Sequence, residues 1–145
     1  YSFGRKVYWF PLLGGFVIEH IDSGLFKVFE DTQCAVYRLE VDDRKYELLK
    51  KYIKMFIKNR KLFRYNLLGL IGVMFNVPVK RKNKYFCTQF VATMLYKSKI
   101  HDFRKDPSLV TPEDFYEIEG LIPVYEGKLA DIGHYVQAGM VKHAI

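Results

Sequence analysis

The chain holds only two cysteines, Cys34 and Cys87, one tryptophan and five prolines in 145 residues. So few cysteines exclude a disulfide framework as the main source of stability and permit a reducing compartment. The cysteines and the four histidines show no ligand spacing, so no metal and no cofactor are assigned. No apolar run reaches the roughly 18 residues of a membrane-spanning helix. The longest, Leu67 to Val79, is broken by Gly69, Gly72, Asn76 and Pro78. Internal repeats and low-complexity tracts are absent as well; no secretory signal is visible, but a chain that opens on Tyr1 rather than Met leaves open that one was removed, and residues 1–145 read as a single domain.

What the chain does have is aromatic bulk and an uneven charge. Twelve Phe and eleven Tyr argue for a folded protein with a proper core. The net charge is +7, yet it is concentrated. Nine basic residues and a single acid, Glu47, lie between Arg44 and Arg64, whereas the stretch from Asp106 to Glu126 carries six acids and no base. Such asymmetry attracts polyanions: anionic lipid, cell-wall polymer or nucleic acid. Tyr46, Tyr52 and Phe56 interleave with the lysines at helical spacing, which suits a core stripe better than a base-stacking platform. Nucleic-acid binding is therefore the lesser reading, and a solvated lysine face is the plain one.

The element order is α+β. Lys6 to Phe10, Phe16 to Ile21, Leu25 to Phe29 and Cys34 to Val41 read as strands, with Gly14-Gly15 and Asp22-Ser23-Gly24 as breaks. In the last of these Cys34 is an ordinary packing residue. Asp42 or Asp43 caps a first long helix that buries Tyr46, Leu49, Ile53, Phe56 and Ile57 and turns Lys50, Lys51, Lys54 and Lys58 outward. Tyr65 to Val73 reads as a short buried helix whose glycines permit close approach. Lys80 to Lys84 is an exposed loop, Thr111-Pro112-Glu113-Asp114 is a helix start, and Leu121 to Tyr125 is a final strand.

Chemistry concentrates at Tyr85-Phe86-Cys87-Thr88-Gln89-Phe90-Val91-Ala92. Phe90, Val91, Met94 and Leu95 follow Cys87 at i+3, i+4, i+7 and i+8, so Cys87 is expected on the packed face of an amphipathic helix. A thiol in the first helical turn feels the positive end of the dipole, and Lys80, Arg81, Lys82 and Lys84 add to it. Both favour thiolate, the nucleophilic form. A buried cysteine acting as a small hydrophobe is the alternative.

Tyr65-Asn66-Leu67-Leu68-Gly69 upstream of Phe86-Cys87-Thr88-Gln89-Phe90-Val91, together with the strand Gly14-Gly15-Phe16-Val17-Ile18-Glu19, resembles the NlpC/P60 superfamily. The similarity is greatest to its circularly permuted branch, the YiiX/YaeF-like papain-like amidases, and spans roughly Tyr1 to Gly127. The resemblance implies a papain-like fold, an antiparallel sheet packed by helices, with the nucleophile at a helix N-terminus. It implies Cys87 as the nucleophile of a bacterial, cytoplasmic or envelope-associated thiol hydrolase or acyltransferase. Cell-wall peptides, lipid-linked amides or acyl esters are the implied substrates.

Within that family pattern Glu19 is the residue that orients the catalytic imidazole, and Tyr65 lies near the nucleophile. The family's histidine sits on a strand preceding the segment matched by Tyr1-Ser2-Phe3-Gly4, so that strand is expected upstream of Tyr1. His20 and His134 are weaker alternatives, His101 reads as a solvent-exposed cap, and His143 falls in the tail. A chain that keeps the fold without its histidine would be a binding domain rather than an enzyme.

Overall fold

A computed structural model describes residues 14–18 and 31–132, and the backbone of residues 2–5. The chain divides into two compact units, Tyr1–Ile18 with Val41–Ile118, and Glu19–Glu40 with Glu119–Ile145. The architecture is α+β.

In the first unit, strands β1 (Ser2–Arg5), β2 (Gly14–Val17), β4 (Arg64–Tyr65) and β5 (Lys84–Tyr85) form one sheet in the order β1-β2-β4-β5. β1 and β2 are antiparallel, with Phe3 opposite Phe16, and Gly15 lies opposite Arg64 of β4. The sheet is mixed, not purely antiparallel as expected: β4 and β5 run parallel, Tyr65 beside Tyr85. The cause is the crossover helix α2 (Leu67–Met74) between them, the connection that parallel neighbours require.

Helix α1 (Asp43–Lys58) starts where its acids place it: Asp42 is the N-cap and accepts a 2.9 Å hydrogen bond from the Lys45 N–H. That backbone bond, with the Lys45 charge, holds the Asp42 carboxyl below its ordinary range. Phe56 is its buried anchor, stacked on Phe63 at 4.2 Å and edge-on to Phe90 at 5.2 Å. Phe16, Phe56, Phe90 and Met94 form the core, closed by Leu49, Tyr52, Ile57, Phe63 and Tyr85. Helix α3 (Cys87–Lys97) supplies two of those four side chains.

The second unit is built on an antiparallel ribbon of β3 (Gln33–Leu39) and β6 (Leu121–Lys128), bulged between Val36 and Tyr37. Tyr125, Leu129 and Ile132 pack on Cys34 and Val36, and burial pushes the Cys34 thiol up, as befits a packing residue.

Several expectations need correction. β2 begins at Gly14, so the two glycines lie inside the strand instead of before it. The segment after Thr111 is a 3₁₀ helix, Glu113–Glu117, in which Asp114 accepts from the Thr111 N–H at 2.6 Å. The expected buried helix is α2, but only Gly69 and Gly72 of it are buried. The strands expected at Lys6 to Phe10 and Leu25 to Phe29 lie outside the described residues.

Candidate functional site around Cys87

Cys87 is the first residue of α3, delivered there by β5 and by Phe86, whose ring is buried. The thiol is exposed. This corrects the expectation of a packed sulfur, and the reason is a rotation of about one residue, or roughly 100° about the helix axis. The buried stripe is Phe86, Phe90 and Met94, while Cys87 and Val91, one turn apart, share the wetter side. Gln89 decides the rotation. It is a polar residue with its side chain in the interior, and a hydrophobicity pattern cannot foresee that.

The partner that makes Gln89 burial tolerable is Asn66, fully buried before α2. Asn66 Oδ1 caps α2 by accepting from the Gly69 N–H at 3.1 Å. Its Nδ2 donates to Gln89 Oε1 at 3.3 Å and to the Val79 carbonyl at 3.2 Å. One amide thus ties the start of α2, the basic loop's approach and the first turn of α3 together, with its polar atoms satisfied. Thr88 adds a second tie, its hydroxyl donating to the Val110 carbonyl at 2.6 Å. Sequence reasoning missed the positioning role of Asn66, Thr88 and Gln89. A signal existed for Asn66, an Asn directly before an apolar helical run.

Among the described residues no side chain caps α3. The N–H groups of its first turn, which have no partner within a helix, meet no capping side-chain oxygen of the described residues beside the thiol. Tyr65 is paired with Tyr85, two residues before Cys87, so the sheet brings the Tyr65 backbone close to the nucleophile's approach. The Lys80 to Lys84 loop leads into the same corner; Lys80 pairs with Asp106 at 2.6 Å.

Among the described residues the one histidine is His101, beyond the far end of α3. The eleven residues of that helix separate it from Cys87 by about 15 Å. His101 is half-buried rather than solvent-exposed, its ring edge-on to Phe103 at 4.5 Å, and its backbone N–H donates to the Leu95 carbonyl at 3.4 Å, so it does close the helix end. Glu19, His20, His134 and His143 lie outside the described residues. No helix among the described residues is long and apolar enough to cross a membrane. Comparison with protein-family models, with curated proteins and with solved structures gives no match for this chain.

Proposed function

We propose that the chain is a thiol hydrolase or acyltransferase of the papain-like, permuted NlpC/P60 kind, with Cys87 as nucleophile. The observation that carries this reading is the place of Cys87: solvent-accessible, at the first residue of a helix whose N-terminus no side chain among the described residues caps. In this mechanism the Cys87 thiolate attacks an amide or ester carbonyl, and the helix N–H groups stabilise the oxyanion. The C–N or C–O bond breaks, and the leaving amine or alcohol takes up the proton that an imidazole accepted from the thiol. Water or an acceptor nucleophile then resolves the thioester. Glu19 is the carboxylate that holds the imidazole in its tautomer. Cell-wall peptides, lipid-linked amides and acyl esters are the substrate classes, and the exposed lysines of α1 favour an anionic partner, an envelope polymer or a lipid surface.

Alkylation by iodoacetamide across pH, with the modified residue located by mass spectrometry, tests the nucleophile. Cys87 is expected to be the residue that is alkylated, since its thiol is exposed. An ester or amide reporter is expected to leave an acyl group on Cys87 that Cys87→Ala cannot carry. A Cys87 that is not alkylated, or the absence of a trapped thioester, overturns the reading.

A further inference from the structure

Helix α2 exposes what helices ordinarily hide. Leu68 is 50% exposed, Ile71 46%, Met74 82%, and Phe75, which ends the helix, 73%. Leu68, Ile71 and Phe75 stand at i, i+3 and i+7, with Met74 alongside, so they form one apolar face. Val77, 54% exposed, extends it past the helix. The flank of the helix beside this face is fixed against the protein through Gly69 and Gly72. A patch of this kind marks a binding surface.

The basic loop beyond α2 identifies the partner of this face. Val77 is three residues from Lys80, within roughly 10 Å of chain, and Lys80, Arg81 and Lys82 are all exposed. Lys80 is paired with Asp106, but no carboxylate among the described residues pairs with Arg81 or Lys82. A soluble polyanion would satisfy those charges and leave Phe75 and Met74 in water. A second copy of the chain would cover the apolar face but oppose one basic loop with another, on molecules each carrying +7. An anionic bilayer answers both, offering acyl chains beneath negative head groups.

We infer that α2 and the loop after it form a peripheral docking element for anionic lipid membranes, with Leu68, Ile71, Met74 and Phe75 entering the interface and Arg81 and Lys82 on the head groups. This shares with the proposed function only its anionic partner, choosing lipid over polymer, and needs no chemistry at Cys87.

The test is co-sedimentation of the full chain with phosphatidylcholine vesicles, with and without phosphatidylserine, at low and high salt. The wild-type chain is expected to sediment with the anionic vesicles, less so as salt rises. Met74→Ser/Phe75→Ser is expected to lose about tenfold or more in affinity at unchanged charge, with its melting temperature preserved. Arg81→Glu/Lys82→Glu is expected to lose the preference for phosphatidylserine. Cys87→Ala is expected to bind as wild type, so loss of the thiol mechanism leaves this result standing. Absence of vesicle binding, or a serine variant that binds as tightly as wild type, overturns the inference. So does a serine variant that melts much earlier or dissociates a dimer, since the face is then covered by the chain itself or by a second copy.

Discussion

Helix α1 buries Phe56, half-buries Leu49, Tyr52 and Ile57, and turns Lys51, Lys54 and Lys58 to solvent, whereas α2 hides two glycines and turns Leu68, Ile71 and Met74 to solvent. Both are periodic, and the period alone does not say which face goes inward. In α1 the decision follows transfer energetics, because Phe56 gains by leaving water and the lysines lose. In α2 it follows space. A Cβ on Gly69 would collide with the Asn66 amide and stand 3.0 Å from the Phe86 ring, and one on Gly72 would stand 2.5 Å from the Val77 carbonyl oxygen. Only glycine lets this helix lie so close to the start of α3, and the large residues are left on the outside.

The largest expected effect breaks the comparison if it fails. Phe56→Ala removes the ring at the centre of the aromatic core and is expected to cost about 3–5 kcal/mol in urea unfolding. Phe75→Ala deletes a side chain of the same size from an exposed position and is expected to cost less than about 0.5 kcal/mol. Equal costs would mean that the α2 face is packed, and the two helices would then follow one rule.

A subtler effect sharpens the glycine side. Alanine is a better helix former than glycine by about 1 kcal/mol, so Gly69→Ala would stabilise an unpacked helix. Here Asn66 is held by hydrogen bonds to Gly69, Gln89 and Val79 and cannot swing aside. The substitution is expected to destabilise by about 1–3 kcal/mol, measured by thermal or urea unfolding. A gain in stability would show that the close approach has slack.

The same contrast explains how much of the fold was legible in the sequence. The α+β order, the Asp42 cap, the β3–β6 strands and a helix opening at Cys87 all rest on strong local signals: capping acids, long alternations, a 3.6-residue period. β4 and β5 have two residues each, too few to carry a period, and β1 is masked by Gly4 inside it. The facing of Cys87 hinges on Gln89, which is buried by a bond to a residue 23 positions away. The exposure of α2 likewise hinges on Asn66 and Phe86, which a local pattern does not connect to Gly69. Local chemistry locates the candidate nucleophile; long-range amide pairing orients it. Glu19, the other candidate site residue, lies outside the described residues.

A further effect concerns how the acidic segment holds Lys80 and Lys105. Burial would raise the Asp106 and Asp114 carboxyls, but Lys80 with Ser108, and Lys105 with Thr111, outweigh it and hold both below the ordinary carboxylate range. A carboxyl depressed in the folded state stabilises it above the unfolded pKa, near 3.9 for Asp, and that stability is lost as pH falls through the lower folded value. Stability is therefore expected to be level from pH 7 to about 5 on this account and to decline below about 4. Asp106→Asn and Asp114→Asn keep side-chain oxygens for the Ser108 and Thr111 N–H groups while removing the charges that pair with Lys80 and Lys105. Each is expected to cost on the order of 1 kcal/mol at neutral pH, a cost that shrinks as the wild-type carboxyls protonate. Urea unfolding at pH 7 and pH 3 measures it, and a difference that persists undiminished at the lower pH would assign the loss to packing instead of charge.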